Sequence, residues 1–208
     1  MTFPSELASV LSGASMSQLR HWRNAPALLA PEVACRPRAM YSFRDIVALR
    51  TFVRLRSELP LQRIRTAMGT LQDYDLTDHP SSYKLVTDRK TIFLVDEDGR
   101  DLVDLVKRRG QTLLLSMADV FEPFTNLQGQ DVVDFRQPRT NIEVRERRMG
   151  GWPTIAGTRV RYDTVALLLE DGSVAPEDAH HYYPHVSAQA ALDAADFEAS
   201  VRERRLGH

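Results

Sequence analysis

Gln18-Leu19-Arg20-His21-Trp22 is the run from which the rest of this 208-residue chain is read. Leu19 and Trp22 stand three apart, so on a helix they share a face and turn inward, leaving Gln18, Arg20, His21 and Arg23 outside. Upstream, Ser15 or Ser17 can cap that helix, and Ser12-Gly13-Ala14 supplies a turn. Before the turn, Leu7, Val10 and Leu11 recur at helical spacing behind Pro4, which suits a first helical turn. Two short helices across a glycine turn make a helix-turn-helix, in which the second helix meets the ligand. Ser15, Ser17, Gln18, Arg20, His21 and Arg23 are therefore its candidate contacts.

Working outward, Asn24 to Met40 contains Pro26, Pro31 and Pro37 and is predicted to be an extended excursion, placed where a wing would sit and carrying Arg36 and Arg38. Ser42 caps a third helix with Ile46, Leu49, Phe52, Val53 and Leu55 as its apolar stripe, closed by Glu58-Leu59-Pro60; Leu61 to Leu71 gives a fourth. From Asp73 the sequence turns polar and reaches Pro80, so no long coiled coil follows. Tyr83–Thr87 and Thr91–Val95 read as a hairpin across Asp88-Arg89-Lys90, with Asp96-Glu97-Asp98-Gly99 as a turn. Leu102 to Val106 fits a short helix, Gln111 to Leu115 a strand, and Met117 to Phe124 a helix. Asp131 to Val144 and Pro153 to Val160 read as extended. Asp163 caps a helix to Glu170, Pro176 opens a short one, and Ser187 caps a last one to about Arg204, with Ala188, Ala191, Leu192, Ala195 and Val201 on its apolar side.

Charge divides the chain. Residues 1–70 hold ten Arg, no Lys and four acidic side chains, a net of +6, while 71–150 and 151–208 carry −3 and −4. An arginine's planar fork suits bidentate phosphate contacts, so a basic head on an acidic body points to a polyanion partner at one end. Cys35 is the only cysteine, which excludes an intrachain disulfide and any zinc site built on two thiolates. No apolar run reaches a membrane span and no secretory signal pattern opens the chain, so the expectation is a cytoplasmic protein without membrane association. No phosphate loop, nucleophile elbow or paired His and Cys appears, so no enzyme, cofactor or metal is expected. His180-His181 near Glu177 and Asp178 lack a third converging ligand.

Two family resemblances rest on these residues. Glu6-Leu7-Ala8 through Gly13, Gln18 to Trp22, Leu28-Leu29-Ala30-Pro31 and Tyr41 to Arg50 together resemble the DNA-binding domain of MerR-type regulators, over about a third of the chain. The resemblance implies a major-groove helix with Ser17, Gln18 and His21 at bases, and Arg20, Arg36, Arg38 and Tyr41 at phosphates. At the other end, Gly151-Trp152-Pro153-Thr154-Ile155-Ala156-Gly157-Thr158-Arg159-Val160, with Asp171-Gly172, Tyr183-Pro184 and Ala191 to Phe197, resembles the small bacterial domain-of-unknown-function family numbered 433. Members of that family occur as antitoxins beside PIN-like ribonucleases.

Together the two ends resemble VapB-type antitoxins with a MerR-like head. That implies two partners, operator DNA bound by a homodimer and a PIN-domain ribonuclease toxin, with Arg159, Arg202, Arg204 and Arg205 as candidate toxin contacts. A ligand-responsive MerR-like regulator without a toxin is the other reading. The expected fold is α+β, mostly α: a winged helix-turn-helix over 1–71, a small α/β middle region with a β-hairpin over 72–130, and a C-terminal antitoxin-like domain of a strand plus a three-helix module over 131–208.

Overall fold

The computed structural model describes residues 2–24, 27–73, 78–87, 89–95, 102–106 and 120–206. It is α+β and mostly α, with seven α-helices and small antiparallel strand pairs among those residues. Strand β1 (Phe3–Pro4) leads directly into α1 (Ser5–Ser12), and α2 (Met16–Arg23) follows after a tight turn. Gly13 makes that turn at φ 77°, its N–H bonding to Ser9 O at 2.9 Å. A Cβ at Gly13 would lie 2.4 Å from a methyl of Val132, so both its backbone and its surroundings require glycine. Of the two serines that could cap α2, Ser15 does so, in a full capping box with Gln18.

The proline-rich excursion folds back as a small hairpin. Met40 N–H bonds to Ala34 O at 2.8 Å, and β2 (Met40–Tyr41) pairs antiparallel with β1, so Arg36 and Arg38 lie on the loop between. Helix α3 (Phe43–Glu58) opens with a second capping box, Ser42 with Asp45, and α4 (Leu61–Asp73) runs two residues beyond the expected end. One 3₁₀ turn at Pro80–Ser82 precedes the hairpin of β3 (Lys84–Thr87) and β4 (Ile92–Val95), paired as expected.

Leu102 to Val106 is not helical. It contributes β5 (Leu102–Asp104), which pairs with β4 from Phe93–Asp104 to Val95–Leu102. Five residues cannot repay helix nucleation, whereas the edge of the hairpin offers Leu102, Val103 and Asp104 a ladder partner each. Asp96–Gly99, Gln111–Leu115 and residues 117–119 lie outside the described residues. The described remainder of the helix expected over Met117–Phe124 is not helical, because Pro123 cannot donate to a helical ladder: the chain turns from Val120 to Glu122, and Phe124 begins β6 (Phe124–Thr125), paired with β7 (Asp131–Val132).

The C-terminal part pairs β8 (Ile142–Glu143) with β9 (Thr154–Ile155), then runs α5 (Tyr162–Leu169), α6 (Ala179–Tyr182) and α7 (Ala188–Leu206). Arg161, not Asp163, occupies the N-cap of α5; Asp163 sits in the first turn, held by the Arg161 guanidinium. Ser187 caps α7 as expected, its hydroxyl accepting Ala190 N–H at 3.2 Å. The buried side of α7 is Ala190, Ala191, Ala194, Phe197 and Val201, while Leu192 is 47% exposed, one helical step off the expected stripe.

Buried residues from Phe3 to Val201 form one continuous core. α7 packs on both α5 and α1, and Phe3 stacks on Trp152 at 5.7 Å, so both ends of the chain share that core. Arg50, fully buried on α3, joins the layers: its guanidinium donates to the carbonyls of Leu11, Val120, Phe121, Glu122 and Val133 at 2.6–3.3 Å. A charged group out of water is tolerated when this many of its protons find acceptors.

Candidate functional site

The residues expected to read DNA lie on the exposed side of α2 and on the hairpin loop beside it. At the start of α2, Ser15, Ser17 and Gln18 are tied together. Gln18 Oε1 accepts Ser15 N–H at 2.8 Å, Gln18 N–H donates to Ser15 Oγ at 3.2 Å, and the hydroxyls of Ser15 and Ser17 are 3.0 Å apart. The cap thus occupies the amide oxygen of Gln18, and its NH₂ group keeps two donors for a ligand. Arg20 and His21 are exposed one turn on, Arg23 is half-buried, and Arg36 and Arg38 are exposed on the loop.

Tyr41 departs from this surface. It is 1% exposed, and burial pushes the phenol above its ordinary range, with the Arg23 guanidinium beside it acting in the opposite direction. Its ring belongs to the hydrophobic core. Arg20 and Arg23 from α2 and Arg38 from the loop line one cleft of about 660 Å³, floored in part by Leu19 and Met40.

The charge excess of the head is only partly available to a ligand. Arg50 is buried; Arg44 pairs with Glu32; Arg56 bonds to Leu59 O at 3.0 Å; Arg63 bonds to Lys90 O; and Arg54 lies 5.1 Å from the Phe124 ring centre. Arg65 is half-buried on α4, while Arg20, Arg23 and Arg38 line the cleft and Arg36 is exposed on the loop beside it.

Glu32, Asp45 and His79 bring three possible metal-ligand atoms within 4.8 Å of one another. Hydrogen bonds account for the group. Asp45 Oδ2 accepts the N–H groups of Ser42 and Glu32 at 2.8 and 3.0 Å. His79 Nδ1 accepts Ser81 N–H at 3.2 Å, which assigns the ring proton to Nε2, facing Asp45 Oδ1 at 3.1 Å. A nitrogen that carries a proton cannot ligate, so the cluster is a brace between α3 and the Pro80 turn.

At the C-terminal end, the turn between β9 and α5 is fixed from several sides. Gly157 adopts φ 75° and donates its N–H to Glu143 Oε1 at 2.9 Å. Thr158 Oγ1 donates to Ile155 O at 2.9 Å and accepts Val160 N–H at 3.0 Å. Glu143, 8% exposed, also pairs with Arg145 at 2.6 Å and with Arg148. Arg159 projects from this rigid turn, exposed and without an ion pair among the described residues. The other expected partner contacts behave differently. Arg202 is held by Glu170 at 2.6 Å and Glu198 at 2.9 Å, both of which raise its guanidinium pKa. Arg204 is half-buried and carries no ion pair among the described residues, and Arg205 is exposed 3.9 Å from Glu6 of α1.

Residues 142–197 match the family model described as a protein of unknown function (DUF433). That segment runs from β8 to α7 and contains the Gly157 turn, the feature on which the resemblance rests. No curated protein matches the chain. Among solved structures, the chain is similar to the X-ray crystal structure of Rv2018 from Mycobacterium tuberculosis, at 19% identity over 93% of this chain and 96% of that one, with a TM-score of 0.55. At that identity the likeness speaks for a shared fold through both ends of the chain.

The Arg50 knot, the Asp45–His79 brace and the Glu143 pairs went unread in the sequence. A signal existed for the first: Arg50 lies four residues from Ile46 and three from Val53, on the buried stripe of α3, where a lone arginine has to find acceptors.

Proposed function

We propose that this chain is the antitoxin of a type II toxin–antitoxin pair, with a MerR-like winged helix-turn-helix that represses its own operon as part of a homodimer, and a C-terminal domain that silences a PIN-domain ribonuclease. The observation that carries the DNA half is the cleft lined by Arg20 and Arg23 of α2 and Arg38 of the loop. A backbone of phosphates spaced along a duplex is matched by arginine forks on two neighbouring elements better than by a single patch. The capped start of α2, where Gln18 keeps its amide donors, is the part of that surface with base-reading chemistry.

The antitoxin half rests on the presentation of Arg159, an arginine without an ion pair among the described residues, on a turn whose shape is fixed by Gly157 and Thr158. A PIN active site gathers acidic residues around Mg²⁺ or Mn²⁺, and an entering guanidinium can displace the metal or block RNA. Neither act is catalysis. After α4 the described chain continues as a 3₁₀ turn and strands in place of a long dimerising helix, which favours the antitoxin over the ligand-responsive regulator.

The test takes the full chain, because α7 packs on α1 and removing it would expose the head's core. Fluorescence anisotropy with a duplex from the protein's own upstream region, and co-expression with the adjacent ribonuclease, read the two halves separately. Arg159→Glu is expected to abolish neutralisation while leaving DNA affinity unchanged. Full neutralisation by that variant removes Arg159 from the toxin contact, and a wild-type protein with no affinity for its upstream duplex at low salt removes the DNA half.

A further inference from the structure

The cleft between α2 and the hairpin loop has a fourth arginine that comes from the far end of the chain. Arg205, in the last turn of α7, lines the same cavity as Arg20, Arg23 and Arg38. It reaches this place because α7 packs along α1, which sets its C-terminal turn beside the β1–β2 pair and the start of α1. Its side chain is 67% exposed, and the nearest carboxylate among the described residues, Glu6 Oε1, stands 3.9 Å away, beyond a good hydrogen bond. Glu6 lines the cleft too, so among the described residues lining it four arginines stand with one carboxylate.

We infer that Arg205 belongs to the nucleic-acid surface: the end of α7 supplies a phosphate contact beside α2, and Glu6 restrains Arg205 until a phosphodiester takes its place. The inference rests on the DNA-binding reading of the head and extends it to a residue that the sequence assigns to the other partner. The chemistry suits phosphate. A guanidinium loosely held by one partly exposed carboxylate exchanges it readily for a phosphate oxygen, and the shared cleft with Arg20, Arg23 and Arg38 gives a run of neighbouring phosphates several forks at once. Arg202, three residues back, is closed to such exchange by its two short carboxylate contacts with Glu170 and Glu198. A partner seated on the last turn of α7 would therefore compete with DNA for Arg205.

The experiment measures full-length protein on a short duplex from its own upstream region and on a scrambled duplex of equal length, by fluorescence anisotropy across about 50 to 200 mM salt. Arg205→Ala is expected to weaken both duplexes by the same several-fold factor and to take about 0.9 per protomer from the slope of log K against log salt, as Arg20→Ala does. Glu6→Gln is expected to tighten both, a gain that misfolding cannot produce, and the gain is expected to vanish in the Arg205→Ala background. A normal slope for Arg205→Ala beside a lowered one for Arg20→Ala overturns the inference and leaves the DNA reading intact. Tightening by Glu6→Gln that persists without Arg205 also overturns it. A wild-type protein with no salt-dependent binding overturns both.

Discussion

The guanidinium of Arg50 donates to the carbonyl oxygen of Val133 at 2.6 Å, across 83 residues of sequence. With Leu11, Val120, Phe121 and Glu122 as its other acceptors, this one side chain anchors the start of the C-terminal part to α3 and to the end of α1. Arg50→Met keeps much of the volume and takes this donor from five carbonyls, that of Leu11 buried and the others partly so. The expected loss is on the order of 3 kcal/mol or more in urea unfolding, with Arg50→Lys recovering only a part because an ammonium cannot span the set. A loss below about 1 kcal/mol would mean that water reaches those carbonyls.

Gly13 and Gly157 have nearly the same backbone, φ 77° and φ 75°, and different surroundings. A Cβ at Gly157 meets nothing within 4 Å, so Gly157→Ala is expected to cost only the left-handed backbone, about 1–2 kcal/mol. Gly13→Ala carries that cost and a collision with the buried Val132. It is expected to be the more destabilising of the two, and Val132→Ala is expected to recover part of the difference in the double variant. Equal losses at the two glycines would show that Val132 yields without cost.

The contrast between these glycines also shows how far the sequence could be read. The turn at Ser12-Gly13-Ala14, the Ser15 and Ser42 caps and the β3–β4 hairpin were legible because each depends on neighbours in sequence. What Gly13 faces was not, since Val132 is 119 positions away. The same holds for Tyr41, which a motif places at a phosphate and the fold places in the core, and for Arg202, whose partners Glu170 and Glu198 are fixed only by the packing of α5 on α7. Leu102 to Val106 was misread because a run that short satisfies both periodicities, and only the free edge of β4 decides between them.

Glu32 gives the protein an acid-side response. The Arg44 guanidinium first, and the Ser42 hydroxyl after it, hold the Glu32 carboxyl at about 2, below its ordinary 4.5. A carboxyl whose folded pKa is depressed contributes stability that is fully present above its unfolded value and lost as pH falls through the folded one. The window is therefore from about pH 4.5 down to about pH 2. The difference in melting temperature between wild type and Glu32→Gln is expected to be largest above this window and to shrink through it. The effect is modest because the pair is partly exposed to solvent and screened by it. A difference that stays constant from neutral pH to pH 2 would remove Glu32 from the acid limb.

Gln18 is the residue at which structure and recognition are hardest to separate, because its amide oxygen completes the capping box while its amide nitrogen faces outward. Gln18→Ala removes both, and weaker DNA binding by that variant would be ambiguous between a frayed helix start, about 1 kcal/mol, and a lost base contact. Gln18→Glu keeps the box, since glutamate at the third helical position accepts Ser15 N–H equally well, and removes the donors. It also adds a negative charge, which weakens every duplex alike. The measurement that isolates base reading is the ratio of affinities for the upstream duplex and a scrambled one. Gln18→Glu is expected to melt with wild type and to reduce that ratio, in line with the roughly 1–3 kcal/mol that a good bidentate base contact discriminates. An unchanged ratio, with both affinities lowered equally, would assign Gln18 to the cap alone and leave base reading to Ser17 and His21.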